Sequence, residues 1–283
     1  MKRSSLSLSF GAIVEPDTAS GDLLALETAT IDAMFRRAGV LLIRGFRVSI
    51  EHFELFTKGH AHHFLEHGNP QRLRSAGDGF TISVTPGGKR IDLHSERAYS
   101  PFRPDIVWFY CSRPAITGGE TVICDGSELV KRVTPDVRSS LEAKRVRYVY
   151  RDMAIWSRFL LMQPNGLPLG AGEPGTEWKT GSDGKLQEYS YTTSALTTDG
   201  AGRTAFACSL LDWGYSFEEA VFEDGASVPQ PWLSEIRELA WTTAIRVQLC
   251  ENDILMIDNS RFMHGRETYS DQDRRIFLRM ACR

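Results

Sequence analysis

Seven histidines stand in the chain, and only His94 and His264 lie outside the segment 52–67. His94 opens the tripeptide His94-Ser95-Glu96. In a chain with 36 acidic residues, seven histidines give roughly one H-x-[DE] by chance, so the tripeptide alone says little. A second one, His52-Phe53-Glu54, sits in a helix-patterned stretch, where residues two apart do not face each other. His94 and Glu96 instead fall at the end of the strand-like run "IDLHSE", and on an extended chain positions i and i+2 share a face. Both side chains then reach one ion, and a second imidazole from a distant segment completes three ligands. His264, after the strand-and-turn run "LMIDNSRFM", is the candidate. The remaining histidines (His52, His60, His62, His63 and His67) have no carboxylate or cysteine at a closed-site spacing, and they are expected on a solvated or partly packed surface segment.

Two imidazoles and one carboxylate leave three positions of an octahedral ion open. That is the facial arrangement of non-haem Fe(II) oxygenases, whereas a closed zinc site takes four protein ligands. Taken alone, His94 and Glu96 also fit a local ion pair. Arg275 follows His264 by eleven residues and Arg279 comes four later. A guanidinium beside such a metal clamps a carboxylate through two hydrogen bonds. A keto-dicarboxylate such as 2-oxoglutarate needs that clamp at its far end while its keto-acid end chelates the metal. Each arginine alone fits a surface ion pair equally well.

Four ordered motifs, over roughly residues 39–283, resemble the taurine dioxygenase and clavaminate synthase-like family of Fe(II)/2-oxoglutarate oxygenases. "LLIRGF" resembles its N-terminal strand, and "LHSE" its first ligand motif. "FYCSRPAITGGETVICD" resembles the segment whose threonine meets the cosubstrate carboxylate, here Thr121. "LMIDNSRFMHGRE…RRIFLR" resembles the distal-ligand motif with its cosubstrate arginine, which falls on Arg275; Arg279 matches a further basic position. The resemblance implies Fe(II) held by His94, Glu96 and His264, with 2-oxoglutarate and O2 as cosubstrates. It further implies hydroxylation of an unactivated C–H bond in a small metabolite, an amino acid or a derivative, free or tethered to a carrier protein, in secondary-metabolite biosynthesis. Glu96 argues against halogenation, because halogenases of this type replace the carboxylate with Ala or Gly. Arg97, Tyr99, Arg103, Trp156, Arg266 and Arg279 are the candidates for contact with substrate. The same centre also supports desaturation, cyclisation or oxidative cleavage. An O2-independent metal hydrolase and a silent metal-binding module are the competing classes, and neither gives Thr121 and Arg275 a role.

These residues need a β scaffold to bring them together. Helical spacing over 23–38 ends at Gly39 and is followed by the apolar strand Val40 to Ile43; Ser49 is a plausible N-cap for a second helix over 49–64. Short strands recur from about residue 80 onward, helices are expected over 126–142 and 231–244, and a strand closes the chain. The reading is α+β: a double-stranded β-helix, or jelly roll, with flanking helices, forming one catalytic domain over 1–283. Residues 155–203, rich in Gly, Pro, Asp, Ser and Thr, read as an irregular lid-like insertion.

The chain has 283 residues, 42% hydrophobic and 24% charged, with a formal net charge of −3. That balance points away from nucleic acid and anionic membranes. The N-terminal stretch lacks an apolar core of signal-peptide length, and "AGVLLI" is far too short to span a bilayer, so a cytoplasmic enzyme is expected. Five cysteines without a C-x-x-C read as free buried thiols. The sequence shows no interface from which to read an oligomeric state.

Overall fold

The strand Val40–Ile43 is buried at every residue, yet its side chains divide between two cores. Val40 and Leu42 belong to one cluster, and Leu41 and Ile43 to another. Strand Ile106–Arg113 divides the same way, with Val107, Phe109 and Cys111 on one face and Ile106, Trp108 and Tyr110 on the other. A period of two with both faces apolar places these strands inside a sheet covered on both sides. The computed structural model describes residues 1–283 except 19–20, 68–71, 73, 76, 86, 158–159, 213–215 and 271–272.

That sheet has eight strands. Its path runs Lys2–Ser5, Ala12–Glu15, Val40–Ile43, Ile254–Asp258, Ile106–Arg113, Arg275–Cys282 and His63–Phe64, with Ile82–Ser83 also paired to Arg275–Cys282. All its pairings are antiparallel except that of Ala12–Glu15 with Val40–Ile43. A smaller antiparallel sheet, in the order Ile245–Val247, Thr121–Asp125, Phe262–Arg266 and Ile91–His94, lies against it. The two inner faces share one apolar cluster: Ile123, Val247 and Phe262 from the small sheet meet Leu42, Phe109, Leu255 and Leu278 from the large one. This sandwich is the part of the molecule that carries the site.

Helices cover both outer faces. Thr28–Ala38 and Ile50–Lys58 press Ile31, Phe35, Phe53 and Phe56 onto the large sheet. Gly39 (φ 71°) ends the first of them in the left-handed conformation, and the Ser49 side chain accepts from the His52 amide to start the second. Helices Gly126–Arg132, Pro135–Ala143 and Gln230–Thr243 cover the small sheet through Leu129, Val137, Leu141, Ile236 and Ala240, which meet Val122, Cys124 and Met263. The single helix expected over 126–142 is thus two, because Pro135 starts a new helix rather than continuing the old one.

Residues 155–203 are more ordered than their composition implies. They contain the hairpin Thr176–Thr180 and Leu186–Ser194, which extends a four-stranded sheet with Arg145–Tyr150 and Glu219–Phe222. The Gly-rich segments are its turns. Among the cysteines, Cys111, Cys124 and Cys208 are buried thiols as expected, but Cys250 is exposed and Cys282 half-buried; none is in a disulfide. No helix among the described residues is long and apolar enough to cross a membrane.

One polar network is enclosed between the large sheet and the helix Ile50–Lys58. Arg279 is fully buried and donates to both carboxylate oxygens of Asp78 (2.8 and 2.9 Å) and to Thr81 Oγ1 (2.6 Å), with Glu54 Oε1 3.8 Å away. Its guanidinium also lies 4.2 Å from the centre of the Phe64 ring. Burial opposes ionisation of Asp78, but the hydrogen bonds from Arg279 and Lys58 hold its carboxyl well below the usual range. Removing one partner of a buried ion pair leaves the other charge uncompensated. Arg279→Ala should therefore destabilise the fold by about 3–5 kcal/mol, read by urea denaturation, and a loss under ~1 kcal/mol would refute this role.

Candidate active site

The small sheet delivers the metal-ligating side chains. Antiparallel register sets His264 directly across from His94, with ring centroids 4.6 Å apart, and sets Arg266 across from Thr121. On strand Phe262–Arg266, Phe262, His264 and Arg266 alternate with Met263, so His264 and Arg266 share the inward face with Phe262. Strand Ile91–His94 needs a bulge to match it, because Asp92 and Leu93 together oppose Gly265. The bulge lets both Ile91 and His94 line the cavity while Leu93 stays in the outer core. Gly265 permits the close approach: a Cβ there would lie 2.7 Å from the Ile91 carbonyl oxygen.

Glu96 arrives differently from the sequence reading. The strand ends at His94, and Glu96 begins a turn. A clasp from the neighbouring turn holds it in place. The Glu96 amide donates to Asn259 Oδ1 (2.8 Å), while Asn259 Nδ2 donates to the carbonyls of Glu96 and Pro104 (2.9 Å each). Ser95 is fully buried and donates through Oγ to the Phe262 carbonyl (3.1 Å). Arg97, at φ 54°, then turns the chain away in the left-handed region.

One donor atom from each of His94, Glu96 and His264 falls within a 4.8 Å group. Glu96 Oε2 lies 4.0 Å from His94 Nε2 and 3.8 Å from His264 Nε2. A carbonyl can only accept, so the 2.8 Å contact from His94 Nδ1 to the Asp92 carbonyl fixes the proton on Nδ1 and frees Nε2 for the site. Burial lowers His264 to about 4, against the opposing pull of Glu96. Burial alone would raise Glu96, but the imidazoles of His264 and His67 and the Arg72 guanidinium hold it well below the carboxylate range. Neutral imidazoles and an ionised carboxylate are the protonation states a metal requires. The donor set fits a hard-to-borderline divalent ion bound facially, with three positions left to ligands.

Around the trio lies a cavity of about 150 Å³. Thr121, Arg266 and Arg274 line it, as do Arg97, Tyr99 and Phe102. Arg275 does not line it. The side chains of Ile276, Leu278 and Met280 face the inter-sheet core, whereas Arg275 is exposed at the strand end opposite Arg113. Arg274 is the arginine that reaches inward, with Nη2 donating to the Gly119 carbonyl (3.3 Å) and Nη1 buried with no partner. Arg279 lies on the outer face with its Asp78 partner and is not among the residues that line the cavity.

The other substrate candidates divide. Arg97 and Tyr99 line the cavity, and burial pushes the Tyr99 phenol up to about 12. Arg266 lines it too, but its guanidinium donates to the carbonyls of Thr85, Gly87 and Lys89, which ties down that loop. Arg103 is not a lining residue; it is half-buried and donates to the Asn259 carbonyl. Trp156 packs edge-on against Tyr150, 5.5 Å between ring centres, one layer behind the cavity wall.

Sequence reasoning missed four histidine or charged residues of the lining. His67 was placed on the surface, yet its Nε2 lies 3.5 Å from Glu96 Oε1, and burial lowers it to about 4. His60 is also buried, bonded to Asp32 (2.9 Å), while His52, His62 and His63 are exposed as expected. Arg72, Asp212 and Arg274 join His67 on the wall. Burial pushes Asp212 up to about 6, partly offset by His94 and Ser216. None of these residues stands at a spacing that marks it; the only signal was the single-residue phase of "RRIFLR" against a strand face.

A β-sandwich holding two histidines and a carboxylate at its mouth defines a mononuclear non-haem metal enzyme. The chain belongs to the taurine catabolism dioxygenase TauD, TfdA family, whose sequence model matches residues 3–281. It is accordingly an iron- and 2-oxoglutarate-dependent oxygenase. It is 25% identical to a clavaminate synthase-like protein of Arabidopsis thaliana over 96% of this chain and 93% of that one. It is 30% identical to the dapdiamide synthesis protein DdaC of Enterobacter agglomerans over 122 residues, 42% of this chain and 37% of that one. In fold it is similar to a taurine dioxygenase from Burkholderia xenovorans (TM-score 0.67, 15% identity, 99% and 88% of the two chains covered). It is also similar to PvcB from Pseudomonas aeruginosa (TM-score 0.63, 13% identity, 96% and 86% covered).

The Asn259 clasp carries a prediction. Groups that orient metal ligands typically change metal affinity 10–100-fold when removed. Asn259→Ala should weaken Fe(II) binding about tenfold or more in anaerobic calorimetric titration while circular dichroism stays native-like; unchanged affinity in the folded variant would show that Glu96 is held without it.

Proposed function

We propose that residues 1–283 act as one catalytic domain that hydroxylates an unactivated C–H bond of a small metabolite, an amino acid or an amino-acid derivative. In this reading His94, Glu96 and His264 hold the iron, and Thr121 and Arg274 hold the distal carboxylate of 2-oxoglutarate. The observation that carries it is the pairing, in one cavity, of the three-ligand trio with a buried arginine whose Nη1 lacks a protein acceptor. The bound iron and keto acid supply the oxidising chemistry that activates O2.

The chain's own residues bind, orient and exclude water. The carbonyl of Asp92 keeps the His94 proton on the nitrogen away from the site. Asn259 fixes the backbone from which Glu96 projects. Arg274 offers a charge-assisted donor to an incoming carboxylate from a site where burial has removed competing water. Leu160, Leu161, Pro168 and Leu169 form an apolar wall over the mouth, and we assign residues 160–170 the role of a lid that shields a reactive centre from solvent. The carboxylate at position 96 occupies the coordination position a halide would need, which supports oxygen transfer over halogenation.

A charge-assisted hydrogen bond contributes about 1.5–3 kcal/mol, or roughly 10–150-fold in affinity. Arg274→Gln should weaken 2-oxoglutarate binding by about that factor in anaerobic titrations, and Arg275→Gln should leave it unchanged. The reverse ranking would return the role to Arg275. Formation of succinate coupled to an oxygenated product, assayed across free and carrier-bound amino acids, tests the reaction itself.

A further inference from the structure

Besides Arg274, the charged side chains of Arg72 and Asp212 in the cavity hold atoms that no protein group satisfies. Arg72 uses Nη2 to donate to Thr85 Oγ1 (3.0 Å), but its Nε and Nη1 are buried without a partner. Asp212 is 4% exposed; its Oδ2 accepts from Ser216 Oγ (3.2 Å), while its Oδ1 is buried without a partner. Both line the cavity around the His94–Glu96–His264 trio. Buried polar atoms are rarely left unpaired, and a charged one is costlier than a neutral one, so an exception at a cavity wall points to what binds there. Arg72 presents spare donors in a fixed plane, the geometry that suits a carboxylate. Asp212 presents a spare acceptor, which suits an ammonium group.

In the proposed reading the cosubstrate has partners of its own. Arg274 and Thr121 provide for a dicarboxylate on their own, from strand ends that neither Arg72 nor Asp212 shares. Apolar side chains also line the cavity, among them Phe102, Leu160, Leu161 and Leu169. We propose that Arg72 and Asp212 are the specificity-determining pair for the substrate, and that the substrate is a free zwitterionic amino acid with its carboxylate at Arg72, its ammonium at Asp212 and an apolar side chain against the leucines. The inference rests on the oxygenase reading only for the word substrate; the subsite itself follows from the unpaired atoms. It also chooses between the two forms of amino acid considered above. An aminoacyl thioester on a carrier has no carboxylate to offer Arg72, so the pair selects the free acid.

The test is calorimetric titration under argon of the full-length protein holding Fe(II) and 2-oxoglutarate, so that binding is read without turnover. The probes are the proteinogenic L-amino acids, followed by the N-acetyl derivative and the methyl ester of any that bind. At least one apolar amino acid should bind. Its methyl ester, which lacks the anion, and its N-acetyl derivative, which lacks the cation, should each bind wild type about tenfold or more weakly. Asp212→Asn should weaken the amino acid by a similar factor but not weaken the N-acetyl derivative further. Arg72→Gln should weaken the amino acid but not the ester further, and Arg72→Lys should restore part of the loss. The ester and N-acetyl arms need no variant, so a misfolded mutant does not block the test. Binding of no amino acid in the set, an ester as tight as the acid, or amino-acid binding unchanged in both folded variants overturns the proposal. The 2-oxoglutarate titration that precedes each run reads the oxygenase assignment separately: its failure removes that reading and leaves the subsite standing, whereas normal 2-oxoglutarate binding with no amino-acid binding removes the subsite alone.

Discussion

Strands buried on both faces leave no neutral direction for a side chain, and the whole site depends on that constraint. In strand Thr121–Asp125, Thr121 and Ile123 turn into the sandwich while Val122 and Cys124 turn to the helices. In strand Phe262–Arg266, the same parity sends His264 inward between Phe262 and Arg266. A one-residue slip of this strand would exchange the two sets, turning the His264 imidazole toward the helix-covered apolar core and Met263 or Gly265 toward the metal site. The apolar cores on either side therefore fix the register, and the register fixes the ligands. Where the pattern must be broken, at Asp92–Leu93, a bulge opposite a glycine restores it for His94.

Burial then sets the chemistry of what the register has gathered. With water removed, His264 and His67 stay neutral while Glu96 stays ionised among imidazoles and the Arg72 guanidinium. The same burial makes unpaired atoms informative. Arg279 is as deeply buried as any arginine here, yet its pairing with Asp78 and Thr81 marks it as part of the framework. Arg72, Arg274 and Asp212 hold atoms in reserve on the cavity wall. Arg279 too keeps a buried Nε without a partner, so what separates it from the wall residues is its carboxylate partner Asp78 and its place off the cavity lining.

The order of the site residues along the chain was legible because metal ligation demands particular residue types. His94, Glu96 and His264 could be proposed from type and spacing, and Val40–Ile43 and the closing strand from apolar runs. Which arginine beside the closing strand reaches the cavity was not legible because "RRIFLR" offers two phases, and only the tertiary choice of inner face places Arg274 on the lining and leaves Arg275 off it. Arg103 and Trp156, candidates for substrate contact, are off the cavity lining, since residue type alone does not set which way a side chain points. His67, Arg72 and Asp212 come from irregular segments, which carry no periodicity from which a side-chain direction can be read. The region 155–203 looked irregular because its turns dominate its composition, while the hairpin between them is held by pairing to Arg145–Tyr150.

The central claim is that one cavity holds both an iron bound by His94, Glu96 and His264 and a keto acid bound beside it. Visible absorption under anaerobic conditions tests it most directly. Adding Fe(II) and 2-oxoglutarate together should produce a weak metal-to-ligand charge-transfer band that saturates at one equivalent of iron per chain, is absent with either component alone, and disappears in a folded His264→Ala variant. A folded, iron-loaded protein that shows no such band, or a band that survives loss of the His264 imidazole, would contradict the account.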